Sequence, residues 1–172
     1  MSLSTVELAL LGEAAGKSGM CWLTLPLLST PRAVWHVWHD GALHVVGGGI
    51  EQPLPGLADL DAVEVTVRSK DNSSRILRVR ASVQLLTTDD SRYEEAATAL
   101  AAARLNASAQ DAAEQWRQSS AVFRLEPLET LELPGAFEPV AHAAVPAPTN
   151  ATTAPVPPLT LHRRPRRTPP LT

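Results

Sequence analysis

The stretch Arg32-Ala33-Val34-Trp35-His36-Val37-Trp38-His39-Asp40-Gly41-Ala42-Leu43-His44-Val45-Val46-Gly47-Gly48-Gly49 decides the fold. Two β-rich runs, 32–39 and 42–46, flank the dipeptide Asp40-Gly41. A two-residue hairpin loop of type I′ needs positive φ at both central positions, and Asp-Gly is one of the pairs that accepts it. The spacing predicts an antiparallel hairpin whose second strand ends at Gly47-Gly48-Gly49. In the first run Trp35 and His39 share one face, and His36 and Trp38 share the other. One face belongs to the core and the other to a pocket or a subunit surface. His36 and His39 stand three apart on a strand, which does not aim two imidazoles at one metal, so no metal site is expected.

Working outward, residues 62–68 alternate cleanly, with Val63, Val65 and Val67 on one face and Glu64, Thr66 and Arg68 on the other. Lys70-Asp71-Asn72-Ser73 reads as a turn. Residues 75–86 form a long strand with Leu77, Val79, Ala81, Val83 and Leu85 inward. Upstream, Ser4-Thr5-Val6-Glu7 is a capping box that opens a helix ending near Gly16, and 20–25 is a short strand closed by Pro26. Residues 51–60 hold Pro53 and Pro55 and read as a loop or a short helical turn. Downstream, Asp89 or Asp90 caps an alanine-rich helix to about Leu105. A second short helix near 111–118 carries Trp116. A closing strand, 121–125, is ended by Glu126-Pro127. Short antiparallel strands with one apolar face close well into a small barrel, which removes exposed edges. The fold expected is mainly β, a small antiparallel barrel with flanking helices.

Composition divides the chain in two. From Val140 to Thr172 there are 8 of the 15 prolines, four arginines and no acidic residue. The preceding part holds the remaining 11 basic residues and all 18 acidic ones. The expected organisation is a folded domain over 1–139 and a disordered proline-rich tail over 140–172 with a basic end. The acidic balance of the front disfavours nucleic acid as a partner. Cys21 is the only cysteine, so no internal disulfide and no multi-cysteine zinc site can form. With no basic-then-apolar leader and no apolar run long enough to span a bilayer, the cytoplasm is the expected compartment.

The run 32–41, then Leu43 to Gly49, then Val63 to Arg80, followed by a helix, Trp116 and Val122-Phe123-Arg124-Leu125-Glu126-Pro127, resembles the flavin-binding split-barrel family. That family includes pyridoxamine phosphate oxidase and the actinobacterial flavin/deazaflavin oxidoreductases. The resemblance covers roughly residues 5–133. It implies a split barrel that holds flavin mononucleotide or a deazaflavin coenzyme at a homodimer interface. It places Arg32, Arg68, Lys70 and Arg78 as basic side chains for the cofactor phosphate, Gly47, Gly48 and Gly49 as the phosphate loop, and Trp35 as a wall of the ring site. Hydride transfer would then belong to the cofactor, and no catalytic residue is singled out. One position departs from the family. Where a basic residue often follows the phosphate loop, this chain reads Ile50-Glu51-Gln52-Pro53. A carboxylate near a phosphate weakens binding.

Each candidate has a plainer reading. Gly47 to Gly49 can be a strand end or bulge. The five basic residues Arg68, Lys70, Arg75, Arg78 and Arg80 can be a solvated strand face paired with Glu64 and other acids. Trp35 can be packing, and Cys21 a buried strand thiol. Two functions remain: a flavin- or deazaflavin-dependent oxidoreductase, or a non-catalytic barrel that binds no cofactor. In the second, the tail with its apolar–basic end docks a protein partner or shell.

Overall fold

The computed structural model describes residues 3–70, 75–104 and 109–134. The first helix, α1 (Thr5–Lys17), forms where the capping box places it: Ser4 Oγ accepts the Glu7 N–H at 3.3 Å, and the Glu7 carboxylate accepts the Ser4 N–H at 2.8 Å. The Asp40-Gly41 turn also forms as read, with φ of 45° and 68°. It joins β3 (Val37–His39) to β4 (Ala42–Gly47), with His39 opposite Ala42.

The run 32–39 is not one strand. It breaks at His36 into β2 (Arg32–Trp35) and β3. At the break the His36 backbone N–H donates to the Gly19 carbonyl (3.2 Å) and its imidazole Nε2 meets the Ala15 carbonyl (3.0 Å). β2 pairs with β1 (Met20–Thr24), not with β4. With β5 (Ala62–Arg68), β6 (Arg75–Leu86) and β7 (Ala121–Glu132), the described residues form one antiparallel sheet of seven strands in the order β2-β1-β5-β6-β7-β4-β3. The two edge strands are thus separated by a single residue. Successive Cα atoms lie about 3.8 Å apart, so a sheet whose edges are joined through His36 must curl until those edges meet. The result is a barrel left unpaired between β2 and β3.

The interior is filled by the inward rows. Cys21 and Leu23, Val34, Leu43 and Val45, Val63, Val65 and Val67, Leu77, Val79 and Ala81, Phe123 and Leu125 form one buried cluster with Leu11 and Ala14 of α1. A second cluster lies on the other face of β4, β6 and β7. There α2 (Tyr93–Ala103) and α3 (Ala109–Ser119) pack Tyr93, Ala97, Leu100 and Trp116 on Val46, Leu86 and Val122. β4 is consequently buried on both faces along its length. The break at His36 leaves the face assignment intact. His36 and Trp38 turn to α1, where Trp38 lies on Gly12, while Trp35 and His39 turn to α3 and α2.

Three local expectations are corrected. Leu85 points to the barrel side but is 48% exposed at the strand's end, whereas Leu86, on the opposite face, is 2% exposed under the helical pair. Pro127 does not end the last strand. β7 continues to Glu132, and Pro127 sits opposite Ala81 at a register shift, where a residue without an N–H is tolerated. α2 begins at Tyr93, one turn later than read, behind Asp90, whose carboxylate accepts the Arg92 N–H at 2.9 Å. The turn centred on 71–73, Leu105 and the tail over 140–172 lie outside the described residues. Among the described residues no helix is long and apolar enough to cross a membrane.

Candidate functional site

The edge strand β2 carries two of the residues singled out from the sequence, about 10 Å apart at a strand's rise per residue. Arg32 opens the strand opposite Leu23 and lines a hollow of 360 Å³ with Ser29, Thr30, Ala33 and Gln52. No carboxylate among the described residues pairs with it. Gln52, from the segment after the three glycines, is tied to β2 by its Nε2–H donating to the Ala33 carbonyl at 2.6 Å. The loop and the strand that opens with Arg32 therefore meet in one place. A free guanidinium beside two hydroxyls and a primary amide is a donor set suited to a phosphate or carboxylate.

Trp35, at the other end of β2, lines a second hollow of 460 Å³ with Gly19, Met20, His36, Ala103 and Arg104. Its indole is held from behind: Nε1–H donates to Glu51 Oε2 at 3.3 Å, and its ring lies 6.1 Å from that of Trp116 at 38°. Trp116 Nε1–H donates to Glu51 Oε1 at 3.1 Å, and Arg104 forms an ion pair with the same oxygen at 3.0 Å. The Glu51 side chain is 9% exposed and that of Arg104 23%. Glu51 is thus not a carboxylate facing a bound phosphate. It is the shared acceptor of two indoles and a guanidinium, and it fastens the glycine loop to both helices of the second cluster. Sequence reading singled out Glu51 as an anomaly and missed Arg104 altogether.

The glycine run closes on itself. Gly48 N–H donates to the Gln52 carbonyl (3.1 Å), Glu51 N–H to the Gly48 carbonyl (2.9 Å), and Ser120 Oγ–H to that same carbonyl (3.0 Å). Gly48 and Gly49 take φ of 80° and 59°, and a Cβ on Gly49 would fall 2.6 Å from the Ser119 carbonyl and both serine hydroxyls. Gly47 still belongs to β4, opposite Ala121. The run is a tight turn packed on the end of α3, with the Gly48 donor already taken.

The other basic candidates stand apart from Arg32. Arg68 ends β5 with its guanidinium 4.3 Å above the Trp22 ring. Lys70 lies beyond it, at a 630 Å³ hollow shared with Leu10, Glu13, Gly16 and Lys17 of α1. Arg78 pairs with Glu64 and Glu132, and Arg80 with Glu129. Arg78 and Arg80 follow the solvated-face reading. Within one chain the fold brings Arg32 to the loop that follows the glycines, and Trp35 to Glu51, but it does not gather Arg32, Arg68, Lys70 and Arg78 around one point.

Two histidines are buried, His36 at the strand break and His44 on β4. The His36 Nε2–H donates to Ala15, its Nδ1 has no partner, and burial lowers its pKa to about 4. His44 is also lowered to about 4, first by burial and then by the nearby Arg124. Both are neutral near pH 7.

No protein-family model matches the sequence, and no curated protein matches it. Solved structures match in fold. The haem-storage protein HutZ from Vibrio cholerae gives a TM-score of 0.53 at 14% identity, covering 68% of this chain and 87% of that one. The conserved hypothetical protein Rv2991 from Mycobacterium tuberculosis gives 0.53 at 12% identity, covering 74% and 82%. A looser overlap, with a TM-score of 0.46 at 18% identity, joins 69% of this chain to 93% of a putative pyridoxamine 5′-phosphate oxidase from Listeria innocua. The fold is a mainly antiparallel β half-barrel of the split-barrel type. At these identities the likeness is one of fold alone.

Proposed function

We propose that this chain is a flavin- or deazaflavin-dependent oxidoreductase of the pyridoxamine phosphate oxidase-like class, acting as a homodimer. The observation that carries the reading is Arg32, an unpaired cation at the start of the edge strand, beside Ser29 and Thr30 and joined to the loop after the glycines through Gln52. Arg32 would hold the cofactor phosphate by charge-assisted hydrogen bonds, with the two hydroxyls completing its shell. When bound, the cofactor supplies hydride transfer. The chain's part is to position it, to keep the barrel interior dry and to offer the Trp35 face as a wall. Lys70 and Arg68 enter this reading only through a second subunit, since they do not converge on Arg32 within one chain.

The Glu51 cluster favours a second reading, a barrel of the same fold that binds no flavin and acts as an interaction module with its C-terminal tail as docking segment. The glycine turn, the feature expected to donate to a phosphate, is filled by Ser119 and Ser120. The test is titration of purified protein with flavin mononucleotide and with the deazaflavin coenzyme, after a visible absorbance scan. Saturable binding, weakened about tenfold or more in Arg32→Ala, supports the oxidoreductase. Binding of neither, with no chromophore, selects the interaction module. A haem spectrum instead of a flavin one would replace the cofactor and align the chain with the haem-storage protein that shares its fold.

A further inference from the structure

We propose that the 300 Å³ hollow where the end of β6 meets the start of α2 and the end of α3 binds a small neutral molecule that carries a carbonyl oxygen on a compact apolar body, with the Tyr93 hydroxyl as donor to that oxygen. The site goes beyond the function proposed above and shares no lining residue with the hollows at Arg32 and Trp35. Its volume lies at the lower end of the range for small-molecule sites. Two observations mark it. Tyr93 is 3% exposed, and its Oη is buried without a hydrogen-bond partner among the described residues. A buried phenol usually finds one, because an unpaired donor keeps the full cost of leaving water. Leu85 is 48% exposed, although its neighbour Leu86 is covered. An orphaned donor and an uncovered leucine thus line the same hollow, and one ligand with an acceptor and an apolar surface would serve both.

The other lining groups set the chemistry of the ligand. Leu86, Trp116 and Ala121 give an apolar wall. The Ser120 hydroxyl is committed to the Gly48 carbonyl at 3.0 Å, so it does not compete with Tyr93 for the acceptor. Arg117 is the one charged group among the lining residues, and it is held by Glu94 at 2.6 Å and by Glu114 at 3.2 Å. One cation against two carboxylates leaves no surplus positive charge to attract an anion. Burial raises the Tyr93 pKa, with Arg117 opposing it, so the phenol is protonated near pH 7 and acts as a donor. The ligand must therefore accept a hydrogen bond without carrying a charge, which a ketone or amide carbonyl does.

The experiment titrates the full chain, followed through its amide chemical shifts, with three probes: acetophenone, ethylbenzene, which lacks the carbonyl, and benzoate, which is charged. The expected result is saturable binding of acetophenone with a Kd of about 1 mM or tighter. Tyr93→Phe should weaken it about threefold to tenfold. Ethylbenzene should bind both proteins alike, and benzoate should bind more weakly than acetophenone. Tyr93→Phe should also keep Tm within about 2 °C of wild type or raise it, because the hydroxyl it removes has no partner in the fold. Thr87→Phe, at an exposed position on the rim, should weaken acetophenone by narrowing the entrance. Where that variant does not fold, Tyr93→Phe decides. Failure of acetophenone to bind, benzoate binding as tightly, or unchanged acetophenone affinity in either variant overturns the proposal. A larger fall of Tm in Tyr93→Phe also overturns it, since the hydroxyl would then be held by the fold or by an ordered water. The probes carry no phosphate and the variants lie away from β2, so these outcomes are separate from Arg32 and from flavin binding.

Discussion

Replacing Glu51 by Gln removes one charge from a site where it meets three donors. Breaking a buried ion pair by removing one partner costs about 3–5 kcal/mol, because the other charge is left uncompensated. Two features reduce that here. The Arg104 side chain retains 23% of its exposure and can recover some hydration. Gln also keeps one acceptor oxygen for an indole N–H, although its amide then points a donor at Trp35, Trp116 or Arg104. The loss should be about 2–3 kcal/mol. For a folded part of this length, about 3–4 °C of Tm follows each kcal/mol, so a drop of roughly 6–12 °C is expected. Thermal unfolding followed by far-ultraviolet circular dichroism measures it, and the near-ultraviolet signal reports whether Trp35 and Trp116 keep their packing. Arg104→Met combined with Glu51→Gln should cost less than the two single losses added together, with a coupling of about 1 kcal/mol or more. A single variant within about 0.5 kcal/mol of wild type, or additive losses, would show that Glu51 does not tie the loop to the helices.

Gly49→Ala should destabilise by about 2–4 kcal/mol, since a positive φ is joined to a backbone contact of 2.6 Å, whereas Gly41→Ala, with φ 68° in open space, should cost only about 1 kcal/mol; chemical denaturation of the pair separates strain from collision. His36 and His44 are held neutral with pKa values lowered to about 4 from an ordinary 6.5. Their stability is complete above pH 6.5 and is lost as pH falls towards 4, about 2 kcal/mol each by pH 5. Denaturation midpoints between pH 5 and 7 should show a slope that shrinks by one proton in His36→Asn, and an unchanged slope would refute it. Cys21 is fully buried and its thiol pKa is raised by burial, so labelling by a thiol reagent should proceed only as fast as the barrel opens. Labelling at the rate of a free thiol would put Cys21 at the surface.

What the sequence made legible was local. Asp40-Gly41 needs positive φ, Ser4 and Glu7 sit at capping distance, and Val63, Val65 and Val67 alternate; each is settled within a few residues and each appears as read. What it hid depends on closure. Nothing in Val34-Trp35-His36-Val37 marks a break, because the alternation of faces continues through it. Only the choice of partner changes, and that is fixed by which strands the curled sheet brings to each edge. Pro127 was read as a stop because its missing N–H is a local fact, while the bulge that accommodates it belongs to the pairing with β6. Glu51 was read against an expected phosphate because its true partners are distant in sequence, Trp116 lying 65 positions away. The burial of Glu51, which makes an acid find donors, is set by the packing of α3 and is not written in the local sequence.

The position of both hollows follows from the same closure. A small barrel fills its interior with side chains, and here Leu23, Val34, Val65, Leu77 and Leu125 leave the inside to the core. The faces of β4 and of the ends of β6 and β7 are covered by α2 and α3. The opening between β2 and β3 is where the sheet cannot pair with itself, and there β2 presents Arg32 at one end and Trp35 at the other. Substitutions of the inward rows should therefore change stability without changing what the protein binds. Substitution of Arg32 should do the reverse, so a ligand displaced by the inward Val34→Ala as strongly as by Arg32→Ala would move the site into the barrel and refute this placement.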